Sequence, residues 1–361
     1  MDILSKKHYM NSQNINNLRG EIEFRKRLAT QHVTGEMLLP DYYDKEQHDK
    51  ILLERVNTTL EDLKKLEKQV SLFSPFIELG AERCQRALVL TNDFNAEGFA
   101  VDISYHQLKT AGHFAGVFNR PKLPFRVCCD VNNLPFRSNS FPFAYCYEFL
   151  HHFPSPKPIL QEIYRILSNG VFFFSEEPFK RPRIALYRQR HKIYSRAMLG
   201  KNKARRFIEK FISEDICDER DYGIIENDDI TLNDWIDALA IFDAKKVHIS
   251  SLGNRIRTEL GERIKIKNLL NMFLGGGVNG ICTKQSGVQG IEISNLADLL
   301  LCPDCLTRPI IQKLDQSPLI KKMVGSFDCS VCNSSFPVID DILFLLPTGL
   351  FRELYPDFAS R

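Results

Sequence analysis

A hydrophobic strand ending in an acid, a glycine turn, a helix, and a second strand ending in another acid fill residues 76–104, and nothing else in the chain restricts the fold so tightly. The two strands read Phe76-Ile77-Glu78-Leu79, running into Gly80, and Gly98-Phe99-Ala100-Val101-Asp102. Asp102 follows Gly80 by twenty-two residues, the separation at which a nucleotide-binding βαβ unit sets a carboxylate against ribose hydroxyls. Adjacent parallel strands end at one sheet edge, so one ligand can meet both the side-chain-free turn and the acid. A dinucleotide loop would carry a second glycine where Glu82 stands. A bulky anion there repels a pyrophosphate but not a sulfonium cation, which disfavours a nicotinamide-dependent dehydrogenase.

The following segments extend the pattern. Phe125-Arg126-Val127-Cys128-Cys129-Asp130 is a third strand ending in an acid. Ser140 to Phe153 contains a fourth strand, Ile159 to Leu167 a helix, and Val171-Phe172-Phe173-Phe174-Ser175-Glu176-Glu177 a fifth strand. In this order, residues 76–178 resemble the class I S-adenosylmethionine-dependent methyltransferases, most closely the type-11 group that includes quinone-biosynthesis enzymes. The resemblance implies an α/β, Rossmann-like, seven-stranded methyltransferase sheet over residues 76–290. Ala244 to Ser250 and Gly277 to Lys284 would be its last two strands, forming an antiparallel hairpin. Residues 179–243 show no strand pattern and fall where the family inserts a substrate cap.

The same resemblance assigns roles. Glu78 would orient the methionine amino group and the turn, and Gly80 and Ala81 would offer backbone to the methionine part. Asp102 would hold the ribose, with Ile103 against the adenine. Asp130 would meet the adenine amino group, with Val131 on the other face and Tyr147 near the methionine end. An in-line methyl transfer gains much of its rate from alignment, and a base is needed only if the nucleophile must lose a proton. Glu148, His151, His152 and Glu176 or Glu177 are the candidates, with Glu148, His152 and Glu177 the expected set; neighbouring strand residues face opposite sides, so at most one of Glu176 and Glu177 should reach a pocket. Glu82 and Cys84 replace two family glycines and Pro142 replaces an acid, which keeps open a relative that binds the cofactor without turnover.

Residues 1–75 read as a helical extension. Ile51, Leu52, Val56, Leu60, Leu63, Leu66 and Val70 make one apolar stripe at three- and four-residue steps, with Pro40 and Asp41 as a break before it. The extension would either close over the cofactor or pack on the sheet edge. Between Lys180 and Lys210 there are twelve Lys or Arg residues against one acid, Glu209, and an acidic stretch from Glu214 to Asp234 follows. Two runs that neutralise each other are one reading. A basic lid built on Arg188, Arg190, Arg205 and Arg206 is the other, for an anionic small-molecule acceptor or, less favoured, RNA. The overall charge of +3 does not decide between them. No run reaches the length of a membrane span, and no secretory signal opens the chain.

Ten cysteines without such a signal point to a reducing, cytoplasmic setting. Cys302-Pro303-Asp304-Cys305 and Cys329-Ser330-Val331-Cys332 are two C-x-x-C turns twenty-three residues apart. Four thiolates so arranged satisfy the tetrahedral preference of Zn2+, and a closed shell of this kind is structural. With the tail from Phe336 to Pro347, residues 295–350 resemble the zinc-ribbon activator subunit that partners tRNA and translation-factor methyltransferases. The expected organisation is therefore a helical extension (1–75), a methyltransferase domain (76–290) and a separable zinc ribbon (295–350).

Overall fold

A computed structural model describes residues 12–34, 45–70, 73–180, 187–191, 213–217, 227, 229–251, 256–260, 276–285, 295–306 and 325–359. The expectations for Pro40, Asp41, Arg205 and Arg206 lie outside these residues.

Helices α1 (Ser12–Thr34) and α2 (Lys45–Leu66) precede the sheet. The alternation of β1 (Phe76–Leu79), α3 (Gln85–Asp93), β2 (Gly98–Asp102), α4 (Tyr105–Lys109), α5 (Ala111–Val117), β3 (Phe125–Cys128), β4 (Phe141–Tyr147), α6 (Pro156–Ile166) and β5 (Leu167–Pro178) builds its parallel half. Strand β1 is buried along its whole length, as a central strand covered on both faces must be. It pairs in parallel with β2 on one side and β4 on the other. Helix α6 shows how the sequence sets one such layer. Ser155 caps it, Pro156 opens it, and Ile159, Leu160, Ile163 and Ile166 recur at helical spacing and are buried.

Two further strands, β6 (Tyr187–His191) and β7 (Ser213–Cys217), pair in parallel as a separate two-stranded sheet. Sequence reading found no strand there, because neither segment carries an apolar run or a clean alternation. In the register Arg188 stands opposite Glu214 and Gln189 opposite Asp215. Helix α7 (Leu232–Leu239), with a Thr231–Asp234 capping box, leads to β8 (Ala244–Ser251), β9 (Ile256–Glu259) and β10 (Gly276–Lys284). Strand β10 runs antiparallel to both β5 and β8. The order β3-β2-β1-β4-β5-β10-β8 therefore matches the expected seven-stranded sheet.

The sheet does not stop at β3. Strand β11 (Gly325–Asp328) leads into the second cysteine pair, β12 (Ser335–Ile339) and β13 (Ile342–Phe344) follow it, and β13 pairs in parallel with β3, Leu343 opposite Val127. The sheet is thus eleven-stranded, ordered β11-β12-β13-β3-β2-β1-β4-β5-β10-β8-β9. A bare β3 edge would leave a row of unpaired backbone groups, and the apolar run Ile342-Leu343-Phe344 is buried against it. Leu299, Leu300, Phe327 and Phe336 join the core on one sheet face, and Ile342, Phe344, Leu346 and Tyr355 join that on the other. The cysteine-bearing segment shares sheet and core with the rest of the chain, rather than hanging from it as a separate body. Helices α8 (Thr348–Leu354) and α9 (Pro356–Ala359) end the described chain.

Of the predicted stripe, Leu52, Val56, Leu63, Leu66 and Val70 are buried, and α2 lies on α3. Helix α1 packs on α4 and α8. It carries an exposed ion pair between Arg19 and Glu353.

Candidate active site

The site forms where β1, β2 and β4 end. Gly80 adopts φ +65°, and a side chain there would collide with the Phe149 ring, whose Cδ2 lies 2.2 Å from the position a Cβ would take. Glycine is therefore required twice, by conformation and by the aromatic ring packed on the turn. The next N–H, that of Ala81, donates to Val101 O at 3.0 Å. This corrects the expectation for Ala81, whose N–H is committed to the adjoining strand and has nothing left to offer a ligand.

Asp102 joins the turn to the second strand. Its Oδ2 accepts the Glu82 N–H at 2.9 Å and its Oδ1 the Ser104 N–H at 2.7 Å. Burial raises its pKa to about 6, although those two N–H groups and the nearby Arg25 favour the anion. Glu78 lies deeper. Burial raises it to about 8, against the pull of Arg86, while its Oε2 accepts from Ala87 N at 2.9 Å and Tyr145 Oη at 3.2 Å. It fastens the start of α3 to β1 and β4.

Glu82 does not present a free charge. Burial alone would raise its pKa, but Arg25, with Arg83 and Arg55 beyond, holds the carboxyl well below its ordinary range. Arg25 Nη1 lies 2.7 Å from Glu82 Oε1, and Arg25 Nε lies 2.7 Å from Glu21 Oε1. The Gln107 side chain also donates to Arg25 O at 3.0 Å. Helix α1 therefore reaches over the glycine turn, as a covering extension would. The repulsion once expected from Glu82 is largely neutralised by these arginines.

On the next strand, Asp130 Oδ1 accepts from Asn132 N at 3.0 Å and Asn132 Nδ2 at 2.8 Å, capping the short turn Val131–Asn133. Val131 is buried and Ile103 half-buried. Tyr147 is buried, with the Arg86 guanidinium 4.3 Å from its ring centroid.

The three expected bases fare differently. Glu177 is fully buried, and its carboxylate accepts from Phe149 N (2.8 Å), Leu150 N (3.0 Å) and His151 N (3.2 Å), with His151 Nδ1 at 3.0 Å. Its acceptor sites are filled by the turn it supports, which corrects its assignment as a base. Glu148, with φ +46°, is exposed and 3.4 Å from Arg55 of α2. Its neighbour across the strand ends, Glu176, is also exposed, and surrounding protein and the charge of Glu148 raise its pKa. The His152 ring lies 4.4 Å from that of His151. Glu176 rather than Glu177 is thus the strand-end acid open to solvent. Sequence reasoning missed Phe149 and Arg25; neither sits in a motif, and Arg25 meets Glu82 from fifty-seven residues away.

The four predicted cysteines also come together. Their sulfurs all lie within 4.8 Å of one another, with Cys302 and Cys332 at 3.5 Å and Cys305 and Cys329 at 3.4 Å. A disulfide would need about 2 Å, whereas bonds of about 2.3 Å to a tetrahedral ion separate sulfurs by nearly 4 Å. Each turn is closed alike, Leu306 N on Cys302 O and Asn333 N on Cys329 O, with Leu306 and Asn333 both at φ 58°. The cluster is fit to hold a metal ion.

Residues 77–175 match the family described as a methyltransferase domain. No curated protein matches the chain in sequence. Among solved structures, an S-adenosylmethionine-dependent methyltransferase from Thermotoga maritima is similar at 15% identity and TM-score 0.36, covering 67% of this chain and 95% of that one. A methyltransferase in complex with the Haloferax volcanii Trm112 activator gives 14% and 0.38, over 67% and 95%. Geranyl diphosphate C-methyltransferase from Streptomyces coelicolor gives 11% and 0.40, over 74% and 98%. Residues 77–175 thus carry a methyltransferase domain, set on an α/β sheet.

Proposed function

We propose that this chain transfers the methyl group of S-adenosylmethionine to a small-molecule acceptor, and that Cys302, Cys305, Cys329 and Cys332 hold a structural zinc ion. The observation that carries the reading is the Asp102 carboxylate, set at a strand end between the glycine turn and Ser104. A carboxylate fixed by two backbone N–H groups keeps further lone pairs for the two ribose hydroxyls. Ile103, Val131 and Asp130 would border the adenine, with Gly80, Glu78 and Tyr147 toward the methionine end. Glu148 and His152 stand at the ends of the following strand and turn, where an acceptor proton could be taken.

The register of β6 with β7 sets Arg188 opposite Glu214. The pair of Arg188 with Glu214 in that register supports a small-molecule acceptor over RNA. Glu82 and Cys84, which stand where the family has glycines and take φ 47° and 61°, favour a second reading, a protein that keeps the pocket without turnover. Among the described residues, no helix is long and apolar enough to cross a membrane. Calorimetry with S-adenosylhomocysteine and with NAD tests the ligand class, and transfer of labelled methyl to small-molecule extracts tests turnover. Binding of NAD alone would reject the proposal, and cofactor binding without transfer would select the second reading.

A further inference from the structure

Tyr355 lies beyond the ribbon strands, where α8 ends, yet its hydroxyl reaches the strand end that bears Asp102. Tyr355 Oη donates to Ile103 O at 2.5 Å and accepts the Tyr105 N–H at 3.0 Å. Those two partners flank Ser104, whose own N–H holds Asp102 Oδ1. The Cys128 sulfur of β3 lies 3.7 Å from the same hydroxyl. Tyr355 is buried, and its ring packs near Phe344 of β13, at 5.2 Å between centroids, and near Phe351 and Phe358. The aromatic cluster fixes the ring, and the fixed hydroxyl closes both backbone groups of the turn.

We infer that Tyr355 is a positioning residue for cofactor binding: its hydroxyl holds the Ile103–Tyr105 turn in the conformation that presents Asp102 and Ile103 to the ligand. The inference rests on the reading of Gly80 and Asp102 as the cofactor site. Backbone groups at Ile103 and Tyr105 that lost this partner would need water or each other, and the turn would sample other shapes. Binding would then carry the added cost of ordering it. The chemical step, on methyl and acceptor, is remote from the hydroxyl and keeps its rate once the cofactor is bound.

The test is Tyr355→Phe, which keeps the ring and deletes only the hydroxyl. S-adenosylhomocysteine should bind the variant about fivefold to tenfold more weakly, the factor a lost hydrogen bond costs, with kcat at saturating cofactor unchanged. Phe351→Leu in the same cluster serves as control; it should lower Tm without moving the cofactor Kd at temperatures where it is folded. Wild-type affinity in folded Tyr355→Phe would overturn the inference, whereas failure of the wild type to bind would instead overturn the cofactor reading itself. Hydrogen exchange on the wild type provides a readout independent of the variant's folding. S-adenosylhomocysteine should slow exchange at residues 103–105 and 351–358 together, and protection confined to 103–105 would count against Tyr355.

Discussion

Glu82 donates its backbone N–H to Asp102 at 2.9 Å while its own carboxylate takes Arg25 at 2.7 Å. One residue of the glycine turn thus holds the ribose-side acid with its main chain and the covering helix with its side chain. The left-handed backbone at Glu82, φ 47°, is what lets the two ends face different partners.

The first prediction follows from that clamp. Arg25 sits between two carboxylates and is largely buried, so Arg25→Met removes the cation that bridges Glu21 and Glu82. Stability should fall by about 3 kcal/mol in denaturant titration, the range for a broken buried pair. Adding Glu82→Gln should recover part of the loss, because it removes the stranded charge. A double variant less stable than the single one would reject the clamp.

Glu177 separates a supporting acid from a catalytic one. Glu177→Ala strips the acceptor from three backbone N–H groups and should cost about 3 kcal/mol or more. Glu148→Gln, at an exposed pair, should change stability by well under 1 kcal/mol. Thermal melts check both. A Glu177→Gln enzyme with the wild-type Tm but no turnover would restore Glu177 as a base.

The pH dependence of cofactor affinity reports on Asp102. Ribose hydroxyls donate to the carboxylate, so the ionised form is the one that binds. With the folded pKa raised to about 6, affinity for S-adenosylhomocysteine should strengthen as pH rises through that value and level off above it. Below it, protonation removes an acceptor and affinity falls. Calorimetric titrations across this range check the sign, and affinity that weakens with rising pH through 6 would contradict it.

How much of this was legible in advance depended on whether the signal was local. Strands β1 to β5 were legible because apolar runs ending in acids mark buried parallel strands, and Asp102 was legible from its spacing to Gly80. The four cysteines declared themselves by two short spacings. Tyr355 could not be read, because its partner Ile103 lies 252 residues away and the pairing exists only once β13 has docked on β3. The run Ile342-Leu343-Phe344 announces a buried strand, but nothing in it says which sheet edge it joins. Glu177 misled for a related reason. A strand-end acid has the same sequence whether it faces solvent or the amides of the next turn, and only the fold shows Phe149, Leu150 and His151 converging on it.

The shared sheet changes what metal removal should do. Asp304, between the first two cysteines, accepts from Thr348 N at 2.8 Å and so caps α8, the helix that leads into Tyr355. Elemental analysis should find one zinc per chain. Chelation or Cys329→Ser should loosen the cysteine turns, uncover the β3 edge and weaken cofactor binding as well. Full cofactor affinity after metal loss would show that the ribbon is independent of the site.

The central claim is that Asp102 holds the ribose of S-adenosylmethionine beside the Gly80 turn, and calorimetry of Asp102→Ala against the wild type tests it most directly. Loss of a charge-assisted pair of hydrogen bonds should weaken S-adenosylhomocysteine binding by about 2 kcal/mol, roughly thirtyfold, in a variant that remains folded. A folded Asp102→Ala protein that binds as tightly as the wild type would contradict the account.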